Sequence, residues 1–568
     1  MTDNQAQLTY IVAPGMDFND TTIFADESSA WAYSDKICNH VDTSVSHMRK
    51  IFQNKHITIT DPPYLAEPHT PFTESDETSE LEKSLAIKNT QAIYKAICDV
   101  SKLGGGTVII PSCNNQVFYT SALRVESNVN IYLEEGAILK FTTDFSLYYG
   151  KFMNSLYPDT TDEHGLTLTR FESVELMNYS PFIYAYGKKN VAISGQGTLD
   201  GSASLHKWHD WKYESKQEPS RTKLFSQGQR DIPVKSRQYG ENSFLRPNFI
   251  QFYNCQNILI EKVTLTNSPM WEINPVLCDT VLIQNVTVNC HLSNNDGCDP
   301  ESSSNVVIRG NKFDVGDDCI AIKSGRNGDG LRVRRATFNV VIEKNRFADG
   351  HGGVTIGSEV TNGVKNVFSN FNEMDSCNLQ SAYRFKTNYI RGGRIENIYY
   401  KSDVVRMIQI NRAVVTVDLN YNIVNEVKMM KFENLSFIPF IPSFRRVFIK
   451  GLTVNPDCAP NSGGFCAIQL SGFDKGEIDN SCDKCGVSDC FVSEFTIEDS
   501  LFVGCRRAFT LRNVERLTLN RVVIKGTEEA DIVKNCRNLV FTNCDFRDSA
   551  IKRENLTDAA RIENTTFQ

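Results

Sequence analysis

Short apolar runs, broken by single polar residues, recur along the chain. NVAISGQGTLDG starts at Asn190, NILIEKVTLTNS at Asn257, TVLIQNVTVNCH at Thr280, NVVIRGNKFDVG at Asn305, NVVIEKNRFADG at Asn339 and NVFSNFNEMDSC at Asn366. Weaker copies start at Ser493 (SEFTIEDSLFVG) and Asn538 (NLVFTNCDFRDS). The starts from 257 to 366 are 23, 25, 34 and 27 residues apart. Each phrase reads as two short strands joined by a polar turn residue, usually Asn or Gly. Alternation turns Val and Ile inward and Lys, Glu and Arg outward. One such unit cannot bury its apolar face alone, so successive units must stack. A period of 23–25 residues with three short strands per turn predicts an all-β fold, a parallel β-helix. A leucine-rich repeat would instead need regular Leu positions and a helix. The turn asparagines read as structural ladders. Longer gaps are loops leaving the coil at its corners, where functional side chains collect.

The pattern changes before the first coils. Ile93, Ala96 and Ile97 have helical spacing, and Gly104–Gly106 end the helix before the strand TVIIP. This helix is expected to cap the open end of the stack, where bare strand edges would aggregate. Residues 1–80 do not match the repeat and read as an N-terminal extension or a small appended domain. Residues 81–568 form the β-helix domain.

Composition narrows the function. The chain has 568 residues, 40% hydrophobic and 23% charged, with a formal charge of −8. It lacks the basic stripe of a nucleic-acid binder. An anionic substrate would need a local group of Arg and Lys against this overall sign. No apolar run approaches the roughly 18 residues of a membrane span. The start, MTDNQAQLTYIVAPGMDF, has neither a basic stretch nor an apolar core of signal-peptide type. Most of the 17 cysteines, such as Cys255, Cys278, Cys290, Cys319 and Cys377, fall in strand-like segments. This suits reduced thiols and a cytoplasmic protein, with a secreted or periplasmic one as the alternative had a signal peptide been removed. Cys458, Cys466, Cys482, Cys485 and Cys490 form a separate group containing one C-x-x-C. They read as a zinc site, a disulfide or unpartnered loop cysteines.

Four polar phrases fall on successive coils: NNDGCD (Asn294–Asp299), GDD (Gly316–Asp318), GHGG (Gly350–Gly353) and YRFKT (Tyr383–Thr387). Asp296 and Asp317 are 21 residues apart, close to one coil. Residues one coil apart stack at roughly 4.8 Å. Asp296 is therefore expected against Asp317 and Asp318. Like charges that close raise at least one pKa. A protonated and an ionised carboxyl together make the acid–base pair that glycoside hydrolysis needs. Arg384 and Lys386 alternate along a strand, share a face, and can grip a substrate carboxylate.

In order and content these phrases resemble the four motifs of polygalacturonases, glycoside hydrolase family 28: N-x-D, G-D-D, G-H-G and R-x-K. The resemblance covers about residues 85–400, including SPMWEINPVLC from Ser268. It implies a right-handed, single-stranded, pectin-lyase-like parallel β-helix. It also implies inverting hydrolysis of α-1,4-galacturonosyl links in pectin, without metal or cofactor. Carried across by motif, Asp317 is the general acid, Asp296 and Asp318 activate water, and His351 supports the acid. Arg384 and Lys386 bind a galacturonate carboxylate. Asn294 and Asp299 join them as substrate-binding candidates, with a structural turn role for Asp299 as the alternative. Asn295 stands where many members have Thr.

FLRPNFIQFYNCQNILIE and DGHGGVTIGSE look like the bacterial exo-acting branch. The long charged and aromatic insertion Ser204–Asn242 is then the wall that closes one end of the groove. The implied partner is an anionic galacturonan, with no nucleic acid and no membrane. Lys323 and Glu359 are possible groove-lining residues, and His206 and His209 read as loop residues. The rival functions are hydrolysis of a rhamnogalacturonan or xylogalacturonan link, a calcium-dependent pectate lyase, and a non-catalytic carbohydrate-binding β-helix.

Overall fold

The computed structural model describes residues 24–567, apart from 74–77, 377, 408–411, 436–439, 455–465, 478–488 and 557–558. Its strands stack into a right-handed parallel β-helix with three strands in a typical coil. Sheet 1 includes Asp279–Gln284, Ser304–Arg309, Thr337–Glu343, Val364–Asn370 and Arg394–Lys401. Sheet 2 includes Thr287–Cys290, Lys312–Val315 and Arg346–Asp349. Sheet 3 includes Ile320–Ile322, Gly352–Gly357 and Ser381–Lys386.

In-register stacking explains the repeat. Val281, Val306, Val340, Val367 and Ile398 pair in succession on sheet 1 and face the core. The turn asparagines Asn305, Asn339, Asn366 and Asn397 have φ of 53–59°, a left-handed conformation that Asn tolerates well. Their side-chain amides bond from one coil to the next at 2.9–3.0 Å. A second, fully buried ladder joins Asn311, Asn345, Asn372 and Asp403.

The outer face of sheet 1 is also apolar. Leu259, Leu282, Val307, Val341, Phe368 and Tyr399 pair coil by coil and are covered by helix α1 (Glu27–Phe52). Asp26 caps α1 by accepting from the Ser29 amide. Ala30, Ile37, Val41, Val45, Met48 and Phe52 form its buried stripe. At 1.5 Å per residue the helix is about 39 Å long. Nine coil steps, at roughly 4.8 Å each, span about 43 Å. The ends agree: Glu27 pairs with Lys450 at 2.8 Å, and the Phe52 carbonyl accepts from Thr107 at 2.9 Å. Helix α2 (Glu80–Lys102) buries Ala92, Ile93, Ala96, Ile97 and Val100 in the main core at the start of the coil.

No helix among the described residues is long and apolar enough to cross a membrane. Of the cysteine group, Cys458, Cys482 and Cys485 lie outside the described residues. Cys466 and Cys490 are free thiols. Burial pushes them up to about 11 and about 12.

Candidate active site

The polar phrases gather where sheet 2 turns into sheet 3. Cys298 bridges Ile320, an offset of 22 residues, so Asp296 faces Asp318 rather than Asp317. The Gly297 amide donates to the Asp318 carbonyl at 3.0 Å. Carboxylate oxygens of Asp296, Asp317 and Asp318 all lie within 4.8 Å of one another. The expected trio therefore forms, one register place away from the pairing that sequence spacing suggested.

The glycines beside His351 have a steric cause. A Cβ on Gly350, at φ +150°, would stand 2.7 Å from the Asp317 carbonyl oxygen, and one on Gly352 would stand 2.2 Å from Thr355 Oγ1. The absence of side chains at both lets the coils close. His351 Nδ1 then meets Asp317 Oδ1 at 3.0 Å, and the His351 amide donates to the Asp317 carbonyl at 2.8 Å.

Sheet 3 register places Thr355 beside Arg384 and Gly357 beside Lys386. Both cations reach back to the fully buried Asp318. Lys386 Nζ donates to Oδ2 at 2.5 Å. Arg384 and Thr355 donate to Oδ1 at 3.3 and 3.0 Å. Tyr421 lies under both cations, with its ring centre 5.5 Å from Arg384 and 5.2 Å from Lys386. In this state Arg384 and Lys386 hold a protein carboxylate.

These contacts separate the three acids. Burial opposes ionisation of Asp318, but Lys386, Arg384 and Lys323 outweigh it and hold its pKa far below the carboxylate range. Burial also opposes ionisation of Asp317. The His351 hydrogen bond prevails, so Asp317 falls below its ordinary 3.8, while the same contact raises His351 above 6.5 against its own burial. Asp296 behaves oppositely. Burial, then the charges of Asp299 and Asp317, push it well above 3.8. Within the trio the raised carboxyl is therefore Asp296, through burial first and repulsion second.

One expected substrate contact needs correction. Asp299 is completely buried behind the trio, and burial keeps its carboxyl protonated well above the usual range. It does not line the cavity, which fits the structural alternative. Asn294 does line it, with its amide oxygen accepting from Lys212 at 2.6 Å and Arg246 at 2.9 Å. Lys323 and Glu359 both line the cavity; Lys323 lies 3.7 Å from Asp296 and 3.1 Å from Glu359, over the ring of Trp271. His209 is buried. Its Nε2 bonds the Ser268 carbonyl and its Nδ1 accepts from Arg246, and burial drives it down to about 3.

The insertion Ser204–Asn242 stands over this corner. It carries a short turn, Asp210–Tyr213, and helix α3 (Glu218–Gln229). Arg221 on α3 grips Glu172 through two bonds of 2.7 Å. Arg326 joins Glu172 to Glu426, and Arg391 joins Glu426 to Glu359. Glu426 lies on helix α4 (Ile423–Phe432). Arg230 crosses to the Glu433 carbonyl at 2.6 Å. The result is a polar wall around a cavity of about 150 Å³, floored by Asp296, Asp317 and Trp271. A chamber of about 400 Å³ between α3 and α4 shares Lys212, Arg221, Arg326, Asn422 and Glu426 with it. Sequence reasoning missed Glu172, Arg221, Arg326, Arg391, Tyr421 and Glu426. All belong to loops or loop-borne elements of irregular length.

The sequence profile of glycosyl hydrolases family 28 matches residues 165–434, a span that holds every side chain of this corner. Over that span the chain is similar to this family. A probable polygalacturonase of Vitis vinifera is 25% identical over 330 residues, 56% of this chain and 58% of that one. An exo-poly-alpha-D-galacturonosidase of Dickeya chrysanthemi is 24% identical over 413 residues, 69% of this chain and 62% of that one. The chain thus spans about six-tenths of the length of these two relatives. Among solved structures, an exopolygalacturonase from Thermotoga maritima superposes with a TM-score of 0.67 at 29% identity, covering 85% of this chain and 96% of the other. A family 28 exopolygalacturonase of Yersinia enterocolitica, 17% identical with a TM-score of 0.56 over 84% and 75%, shares the fold.

Proposed function

We propose that this protein hydrolyses α-1,4-galacturonosyl links of pectin-derived galacturonan from a chain end, releasing galacturonic acid with inversion. The observation that carries this reading is one corner where three carboxylates, a cation pair and an insertion-built wall converge. The names of the relatives support galacturonan as the substrate. The bridge from α3 to α4 supports end-on action, because it makes a pocket where a chain-interior cutter needs an open groove.

In the proposed reaction, water attacks the anomeric carbon as the glycosidic C–O bond breaks. The Asp317–His351 pair holds one proton and delivers it through Asp317 to the leaving oxygen. Asp318 accepts the proton of the water. As found, Asp318 is too acidic to be an effective base. A substrate carboxylate that draws Arg384 and Lys386 away from Asp318 raises its pKa toward the working range. The resemblance gives Asp296 the same base role as Asp318. Its raised pKa favours a different one, in which neutral Asp296 orients the water by a hydrogen bond.

Inversion rests on the family resemblance. The carboxylates approach within 4.8 Å, closer than the roughly 6.5–9.5 Å common between inverting carboxyls, so the anomer released first decides between the inverting and the retaining route. A calcium-dependent lyase fits less well, since Lys323, Lys386 and Arg384 already meet the carboxylates a cation would need.

Incubation with a ladder of galacturonate oligomers, with and without EDTA, tests the reading. The expected products are monomer and a chain shortened by one, unaffected by EDTA. Mixed oligomers would refute exo action. An unsaturated, ultraviolet-absorbing product abolished by EDTA would refute hydrolysis. We also propose a cytoplasmic location, supported by the free thiols of all described cysteines. Recovery in a periplasmic or secreted fraction would contradict it.

A further inference from the structure

Lys212 and Arg246 are cations without an acid partner. Arg246 is 1% exposed. Its guanidinium donates to the Pro269 and Ser293 carbonyls, to Gln217, to His209 and to Asn294 Oδ1. Every one of these acceptors is neutral, for His209 stays unprotonated (about 3). Lys212 donates to the same Asn294 oxygen at 2.6 Å. Among the described residues, neither cation forms an ion pair with a carboxylate. The other cations lining the cavity do so: Arg221 with Glu172, Arg326 with Glu172 and Glu426, Arg391 with Glu359 and Glu426, Lys323 with Glu359 and Lys386 with Asp318.

Two positive groups converging on one amide oxygen repel each other, and removing them from water adds to the cost. Burial pulls Lys212 below the ordinary lysine value; the more distant charge of Glu172 opposes this, and Arg246 adds to it. Such an arrangement is stabilised when an anion arrives. Lys212 is only partly covered and lines the cavity together with Asp296, Asp317 and Trp271. It belongs to the Asp210–Tyr213 turn of the insertion, outside the four motifs. It meets the trio from the Asn294 coil, whereas Arg384 and Lys386 meet it from later coils. Two separate cationic groups therefore flank the carboxylates.

We propose that Lys212, backed by Arg246 and held by Asn294, is a second receptor for a sugar carboxylate, on the opposite side of the cleavage point from Arg384 and Lys386. This rests on the galacturonan reading above and deepens it. The insertion both closes the pocket and requires a uronate, rather than a neutral or esterified sugar, in the closed part. Lys212 is a specificity residue by this account.

The test compares wild type, Lys212→Met and Lys212→Arg on trigalacturonate and on its methyl ester. A charge-assisted hydrogen bond corresponds to about 10–100-fold. Lys212→Met is expected to lose that factor in kcat/KM on the acid while staying within about twofold on the ester. Lys212→Arg should retain most of the preference for the acid. Calorimetric binding of galacturonate and galactose gives a readout that needs no turnover. Wild type should favour galacturonate, and Lys212→Met should lose much of that margin with a melting temperature no lower than that of wild type. Equal losses on acid and ester, or an unchanged preference, would overturn the inference while leaving the galacturonan reading intact. A wild type that leaves galacturonan uncut would remove that reading and this inference with it.

Discussion

Asp317 and Asp318 are neighbours in sequence with opposite surroundings. Asp317 shares a proton with His351, and Asp318 is locked to Lys386 and Arg384. Replacing Asp317 by Asn removes the route of that proton. The expected loss in kcat is about 10²–10⁴-fold, read from initial rates of reducing-end release. A variant retaining a tenth of the activity would refute the acid role. The pH profile has a definite sign. His351 is raised above 6.5, so the pair keeps its proton below that value and loses it as pH rises through the raised pKa. The basic limb of kcat/KM should therefore fall above pH 6.5, and in His351→Gln it should no longer follow an imidazole. Four motif residues (Asp296, Asp317, Asp318 and His351) were legible because they recur at coil spacing. Their protonation was not, since it depends on Lys323 and Asp299, whose positions sequence spacing left open.

Among the elements, the coil is held by ladders that run along its axis. Asn345 sits in the buried ladder, accepting from the Asn311 backbone and side chain and donating to Asn372 and to the Ile308 carbonyl. Asn345→Ala leaves several of these groups unpaired, at about 1–3 kcal/mol for each one that water cannot reach. Urea denaturation should show a lower midpoint, and an unchanged midpoint would show that the ladder contributes nothing. The repeating Asn positions made these coils readable from sequence. The apolar triplets ILI, VLI and VVI also held a message that alternation alone hid. Their middle residues, Leu259, Leu282, Val307 and Val341, face away from the core and need a cover. Residues 30, 34, 37, 41, 45, 48 and 52, which supply that cover, have helical spacing in the sequence. The wall was less legible. Arg221, Arg326, Arg391 and Glu426 come from four separate segments, and no periodicity links them.

At the scale of the whole molecule, α1 is a brace that runs beside nine coil steps, and α2 is a plug at the first. Removing residues 1–53 would expose the apolar strip from Leu259 to Tyr399. The expected result is a lower melting temperature and binding of a hydrophobic dye, with the strand signal in far-ultraviolet dichroism retained. Unchanged melting would mean that the coil does not need its brace. The charge distribution follows the same division of labour. The chain carries a net charge of −8, yet Lys212, Lys323, Arg384 and Lys386 surround the three clustered carboxylates, a local sign that suits the anionic chain end of the proposed substrate.

The most direct measurement of the central claim is time-resolved proton NMR of trigalacturonate during cleavage. The account predicts galacturonate and digalacturonate as the only products, with the new reducing end appearing first as the β-anomer. An α-anomer appearing first, or an unsaturated product, would contradict it.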